Sequence, residues 1–400
     1  MNILIVTQYF WPEEFRVNDL AVDLVDRGNN VTVLTGNPNY PKGKFFKGYG
    51  FKFMNEEHQG IKIYRVPIVP RGNNRLTLIL NYLSFTIIGS IFILFHRIKY
   101  DKVFAINFSP ITAVFPAILY KKLHKKQLYL WVQDLWPESV SAAGNINSSF
   151  VLNLLTIMVK YIYKNSDRVL LQSEAFMPSV QEKGVTKKQI EYIPNWAEDL
   201  YSDKSKIFIN KYEAIIPKGF LVMFAGNIGE AQDFESILKA AEITKQYSDI
   251  KWVIVGDGRR KTWVESEINR LDLKSTFFLL GRHQMNEIPS FFVHADVMLL
   301  SLKDEGVFTL TIPSKIQSYM AFGKPIIGML NGVGYDLINK ANCGYVGMAG
   351  DSIVLAENVI KAYKEESNVL SNMGVSGIKY YNQNFSKKMV IDKLIDILNE

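Results

Sequence analysis

Short, β-rich apolar runs alternate with longer amphipathic stretches along nearly the whole chain, and this order constrains the fold more than any other feature. NILIVT (2–7), NVTVLT (30–35), IKIYRV (61–66), KVFAIN (102–107), LYLWV (128–132) and RVLLQ (168–172) read as strands. Residues 18–27 and 150–164 repeat their apolar positions at helical spacing. The pattern resumes with FLVMFAG (220–226), IKWVIVG (250–256), TFFLLG (276–281), DVMLL (296–300) and KPIIGML (324–330). Uninterrupted apolar strands are buried on both faces, and β–α alternation builds a parallel sheet covered by helices. The expected fold class is α/β, with two Rossmann-like, doubly wound parallel-sheet domains. Their break falls near 195–215, where Ile216-Pro217-Lys218-Gly219 leads into the second set. Ligands of open α/β sheets bind beyond the carboxyl ends of the strands. Two such domains facing a cleft would put the site there, so the loops after each strand are the segments to read for chemistry.

Composition narrows the class. Hydrophobic residues make up 48% of the 400, ample for two cores, which excludes disordered and collagen-like chains. The single cysteine, Cys343, leaves no disulfide framework and no multi-cysteine zinc site, and suits a reducing compartment. The net charge of +7 sits in the first half: residues 1–198 hold 23 Lys and Arg against 15 Asp and Glu, and residues 199–400 hold 23 against 24. A basic half attracts phosphate-bearing substrates or an anionic membrane surface. Nucleic acid is not expected, because no helix-turn-helix, zinc-finger or RRM signature accompanies the charge. Residues 2–7 lack the basic flank and cleavage site of a secretory signal, so a cytoplasmic location is expected.

One stretch bears on membranes. Leu76 to Phe95 is twenty residues without charge, flanked by Arg71, Arg75, Arg97 and Lys99, and is long enough to span a bilayer. The strands on either side belong to one sheet, which argues against a single span. The segment is left as a buried helix, a subunit contact, or an interfacial helix whose basic flanks suit anionic headgroups. The cluster Lys121, Lys122, His124, Lys125 and Lys126 reads as a solvated or membrane-facing helix face.

Five loops carry candidate chemistry. GNIGEAQ (226–232) and GDG (256–258) end two strands of the second set, and their glycines, Gly226, Gly229, Gly256 and Gly258, are expected to permit close backbone approach to a ligand. In TIPSKIQSYMAFGKP (311–325), Pro313 is expected in the first helical turn, with Ser314 and Lys315 beside exposed helix amides that suit a pyrophosphate. In the first set, strand 2–7 leads into QYFWPEEFRVND (8–19), whose nearest charges are Glu13, Glu14 and Arg16. Strand 128–132 leads into QDLWPES (133–139), where Gln133 and Asp134 sit at the edge of a central strand and a carboxylate could orient or deprotonate an acceptor hydroxyl. Trp11 and Trp136 are candidates to stack on a sugar or lipid group, or else core aromatics. There is no Asp-x-Asp pair, and the five histidines show no metal-ligand spacing. No metal and no other cofactor is expected, so a diphosphate would be neutralised by helix amides and Lys or Arg.

TQYFWPEE, QDLWPES, IPNW, FAGNIGEAQ, WVIVGDG and TIPSKIQSYMAFGKP, in this order and spacing, resemble glycosyltransferase family 4, of the GT-B fold. The branch most resembled includes the L-fucosamine (N-acetyl-L-fucosamine) transferases of O-antigen and capsule synthesis. The resemblance implies a retaining, metal-independent transfer from a UDP-sugar to a saccharide on a polyprenyl diphosphate, by an enzyme peripheral at the inner face of the cytoplasmic membrane. It implies an acceptor domain at 1–200, a nucleotide-sugar domain at 201–384, and a final helix at 385–400 crossing back to the first. Trp11, Glu13, Glu14 and Trp136 would then meet the acceptor.

This chain departs from the family pattern at the donor site. Asn227 and Gln232 stand where relatives carry an Arg and a Lys that grip the phosphates, so Lys315 and then Arg282 are expected to supply that charge. Of the family's two glutamates seven residues apart, the second falls on Ser318 and the first on Leu310, while Glu305 has the first one's setting. The family's histidine aligns with Gln133, which leaves Asp134 as its substitute. A sugar-nucleotide epimerase on the same fold and a non-enzymatic polysaccharide-assembly protein are the competing readings.

Overall fold

A computed structural model of the chain describes residues 1–72, 74–144, 148–202, 207 and 211–400. It divides into two compact units, Met1–Ile193 with Lys393–Glu400, and Pro194–Asp392. Part of the expected break, 203–206 and 208–210, lies outside the described residues.

The first unit is built on eight strands: β1 (Asn2–Val6), β2 (Asn30–Gly36), β3 (Met54–His58), β4 (Ile61–Val66), β5 (Lys102–Asn107), β6 (Gln127–Val132), β7 (Arg168–Leu171) and β8 (Ile190–Tyr192). Their order is β3-β4-β2-β1-β5-β6-β7-β8. All pairs are parallel except β3–β4. Ile3 to Val6 are essentially inaccessible, as a strand covered on both faces requires. β3, sequence MNEEH, escaped the apolar pattern because it is an antiparallel edge strand with alternate residues exposed. Helix Arg16–Asp26 buries Val17, Leu20, Ala21 and Leu24, one helical stripe.

From β1 the chain steps outward through β2 to β4, then crosses to β5 and steps the other way through β6, β7 and β8. Right-handed crossovers therefore put the helices after β4, β5 and β6 on one face of the sheet. The first of these, helix Arg75–Phe95, is the expected apolar segment. It lies against the unit through Asn81, Phe85, Gly89 and Ile93, spaced one turn apart and buried. Gln8 Nε2 donates to Asn81 Oδ1 at 2.7 Å, and Asn81 Nδ2 donates to the Val69 carbonyl at 2.6 Å.

The second unit holds β9 (Phe220–Ala225), β10 (Ile250–Val255), β11 (Phe277–Gly281), β12 (Val297–Ser301), β13 (Ile326–Met329) and β14 (Gly344–Gly347). They form a parallel sheet in the order β11-β10-β9-β12-β13-β14. Alternate residues of β9 feed separate cores on the two faces: Met223 in one, Val222 and Phe224 in the other. Cys343 is buried in the first of these, and burial pushes its thiol up to about 12, so it is an inert core group.

Candidate active site

In the second unit the candidate residues gather beyond the carboxyl end of β9. Helix Ser314–Phe322 begins there, and its N-cap is Pro313 (φ −64°, ψ 126°). The proline thus stands one position earlier than the first-turn place expected for it: its extended ψ turns the chain into the helix, and its carbonyl accepts from Ile316 N–H at 2.9 Å. Ser314 and Lys315 are then the first two helical residues, whose amides have no intrahelical partner. Lys315 Nζ lies 4.2 Å from the centroid of the Phe224 ring. A Cβ on Gly226 would sit 2.7 Å from that Nζ, so the missing side chain is what makes room for the ammonium. Burial lowers the Lys315 ammonium to about 8. It has no ion-pair partner among the described residues. A half-buried cation at a helix N-terminus, set against a ring face, has the chemistry to attract an anion.

The other candidates of this unit stand in separate places. Gly229 N–H donates to Gln232 Oε1 at 3.2 Å, and a Cβ on Gly229 would strike the Asn227 side chain, so these three residues brace one another. The Lys303 amide donates to the Ala231 carbonyl at 2.9 Å, which ties the loop after β12 to the loop after β9. Glu305, on the tied loop, is half-buried at the N-cap of the short helix Gly306–Leu310. Ser318 is buried, and its hydroxyl donates back to the Ser314 carbonyl at 3.3 Å, leaving only lone pairs for any further contact. Arg282 is exposed after β11, the edge strand, two strands from β9.

Gly256 and Gly258 serve a different purpose from the one expected. A Cβ on Gly256 would overlap the Gly226 carbonyl oxygen, and one on Gly258 the Ile228 carbonyl oxygen. Their space is taken by the neighbouring loop, so they permit loop-to-loop contact rather than backbone approach to a ligand. Gly256→Ala is expected to lower unfolding free energy by about 2–3 kcal/mol, measured as a fall in the urea midpoint. An unchanged midpoint would show that the loops are free to part.

In the first unit, the loop after β1 is a folded structure in its own right. Asn18 Oδ1 accepts from Trp11 N–H at 2.9 Å, and Asn18 Nδ2 donates to the Glu13 carbonyl at 2.7 Å. The Trp11 ring stacks on His58 with centroids 3.9 Å apart. Arg65, fully buried, donates to the Trp11 carbonyl and pairs with Glu56. Glu14 is exposed, and Arg16 opens helix Arg16–Asp26 half-buried. Glu13, expected at the acceptor, is instead buried and accepts the amides of Asn39 and Tyr40 at 2.8 and 2.7 Å. It staples the loop after β2 to the loop after β1.

Burial raises the Glu13 carboxyl to about 7, above its ordinary 4.5. The folded state therefore holds this proton more tightly than the unfolded chain does. The stabilisation is complete below about 4.5 and is lost as pH rises through about 7, to the extent of at most about 3 kcal/mol. Urea midpoints from pH 4.5 to 8 should fall across that window in the native chain. In Glu13→Gln, whose amide oxygen still accepts both backbone N–H groups, that fall should vanish.

At β6, Gln133 and Asp134 follow the strand as expected. The Gln133 amide donates to the Asn107 carbonyl at 3.0 Å, and its carbonyl accepts from Gln172 Nε2 at 3.4 Å. Asn107 Nδ2 donates to the Asp134 carbonyl at 3.0 Å. Polar residues at the ends of β5, β6 and β7 thus hold Asp134 in place. The Asp134 carboxyl is half-buried with no hydrogen-bond partner among the described residues, and burial raises it to about 6. Trp136, a stacking candidate, is only 5% exposed and belongs to the core. Asn107 and Gln172 were missed in the sequence, although each is the polar residue that closes an apolar run, in KVFAIN and RVLLQ.

Residues 205–380 match the family "Glycosyl transferases group 1" and residues 14–196 the "Glycosyl transferase 4-like domain", so the two matches together take in most of both units. The chain is a glycosyltransferase. Its fold is GT-B: the glycosyltransferase aligns over its full length with a crystal structure of Anabaena HepE in complex with UDP, at 14% identity, 100% of both chains and TM-score 0.70. It aligns also with WaaG, a glycosyltransferase involved in lipopolysaccharide biosynthesis, at 12% identity, 99% of both chains and TM-score 0.67. In sequence, the glycosyltransferase is 25% identical over 337 residues to the Escherichia coli (strain K12) protein named "Putative colanic acid biosynthesis glycosyl transferase WcaI", covering 81% of this chain and 82% of that one. It is 28% identical over 278 residues to the "Probable glycosyltransferase WbjE" of Pseudomonas aeruginosa, covering 66% of each.

Proposed function

We propose that this glycosyltransferase moves a sugar from a UDP-sugar onto a lipid-linked saccharide in surface polysaccharide synthesis, with retention and without a metal. The donor nucleotide belongs to the second unit and the acceptor to the first. The observation that carries the reading is Lys315, an ammonium without an ion-pair partner among the described residues, at a helix N-terminus beside the glycine turn after β9. When the anomeric C–O bond breaks, negative charge builds on the departing diphosphate, and that ammonium with the Ser314 and Lys315 amides is placed to stabilise it. The new bond forms to an acceptor hydroxyl oxygen, which the Asp134 carboxylate orients or deprotonates.

The relatives support the pathway class: WcaI is named for colanic acid biosynthesis, and HepE was crystallised with UDP. The donor we favour is UDP-N-acetyl-L-fucosamine, with a saccharide on polyprenyl diphosphate as acceptor. A donor panel tests this. UDP-N-acetyl-L-fucosamine, UDP-GlcNAc and GDP-mannose are compared by thermal shift and then for transfer to a polyprenyl-diphosphate saccharide. Stabilisation and transfer with the first is the expected result. Stabilisation by GDP-mannose alone overturns the donor reading, and consumption of a donor without acceptor points to the epimerase.

A further inference from the structure

The helix Arg75–Phe95 is apolar on its outer face as well as its inner one, which is unfavourable for a helix in water. Its buried side carries Asn81, Phe85, Gly89 and Ile93, while Leu76, Ile79, Leu83, Ile87, Ile91 and Leu94 form an exposed stripe along its length. Ile87 is 54% exposed. A second helix repeats the arrangement. Ser149–Lys164 buries Val159, Ile162 and Tyr163, and exposes Phe150, Leu154, Ile157 and Tyr161 at helical spacing. Phe150 is 76% exposed.

The two stripes lie on one face of the unit, joined by helix Phe115–His124. Gly89 meets Pro116, where a Cβ would stand 3.0 Å from the ring, and Thr86 Oγ1 donates to the Thr112 carbonyl at 3.1 Å. On the other side, Phe115 stacks on Tyr161 with centroids 6.1 Å apart, and Lys122 Nζ donates to Tyr161 Oη at 2.8 Å. Exposed apolar surface on this scale marks a binding face. Charge says for what: the segments 75–100, 115–127 and 148–164 contain nine Lys and Arg and no Asp or Glu. Arg97, Lys122, Lys125 and Lys160 are exposed around the stripes.

We propose that this face docks on an anionic lipid bilayer, with both helices lying in the plane of the interface and their apolar stripes entering the acyl boundary. The stretch Leu76–Phe95 is long and apolar enough to cross a bilayer. Its Asn81–Phe85–Gly89–Ile93 side, however, is built into the unit, and β4 and β5 at its two ends run parallel in one sheet. An in-plane helix keeps those contacts and still buries the outer stripe to a depth of about 5–10 Å. A second copy of the chain would cover the apolar stripes equally well, but it would bring the nine like charges together, which disfavours that occupant. The surface stands apart from the choice of donor and acceptor.

The full-length protein is tested by co-sedimentation with phosphatidylcholine vesicles, with and without phosphatidylglycerol. Binding to the anionic vesicles, weakened by salt, is expected. Ile87→Asp and Ile157→Asp should each lower partitioning roughly tenfold or more, since each replaces an apolar side chain that would enter the acyl boundary. Lys122→Glu with Lys125→Glu should abolish the preference for anionic vesicles. All four positions are exposed, so unchanged thermal melts will show the variants folded, and transfer to a water-soluble acceptor analogue should persist in each. Absence of vesicle binding, or binding that ignores both sets of variants, overturns the proposal. So does a lipid-free dimer that Ile87→Asp dissociates while vesicles bind no protein.

Discussion

Lys315→Ala should lower kcat/KM for sugar transfer by roughly 10²–10³-fold, the usual cost of removing one preorganised charge stabiliser. The ammonium is half-buried, lies against the Phe224 ring and has no carboxylate to pair with among the described residues. Stabilising a developing diphosphate charge is therefore the role that fits its position, and folding should not need it. Its lowered value of about 8 makes the same point. Below pH 8 the folded state carries a partly desolvated charge that the unfolded chain keeps in water. That cost is relieved as pH rises from about 8 towards the ordinary 10.5, so native stability should rise over this window, and the rise should be absent in Lys315→Ala. At neutral pH the variant should melt no lower than the native protein. Undiminished turnover and donor affinity in a folded Lys315→Ala would remove the diphosphate assignment.

Asp134→Asn should lower kcat by roughly 10²–10⁴-fold, the range for a positioned general base. Asn107, Gln133 and Gln172 hold its backbone, and its half-buried carboxyl titrates at about 6. In the native enzyme kcat/KM should fall on the acid side through about pH 6, as the carboxylate takes up a proton. In Asp134→Asn the residual activity should lose that limb. A residue that only shaped the loop would leave the pH profile unmoved while lowering activity at every pH. Retention of full activity would remove Asp134 from the chemistry.

Much of this site is legible in the sequence because it depends on local order. Each parallel strand is a run of apolar residues, and the residue that ends the run is by construction near the carboxyl edge of a sheet. That places Gln133, Asp134, Gly226 and Gly256 without a structure. The strand GYVG at 344–347 is not legible in the sequence, because it is four residues at a sheet edge and too short to show a period. Glu13 was read as a free charge near a strand end. Only the fold brings the loop after β2 over it and turns its carboxylate into a staple for Asn39 and Tyr40.

The sequence by itself determined the two α/β sheets, their many parallel strands and the helix end that offers Ser314 and Lys315, since periodicity and end signals are set by near neighbours in the chain. Only the tertiary structure decided what fills the space beside each of these. Phe224 meets Lys315 across ninety-one residues of chain, the Cβ positions of Gly256 and Gly258 are taken by the loop after β9, and the apolar helix Arg75–Phe95 buries Asn81 and Gly89 while exposing Ile79, Ile87 and Ile91. Such contacts depend on which distant segments the strand order sets side by side, and no local pattern records that order.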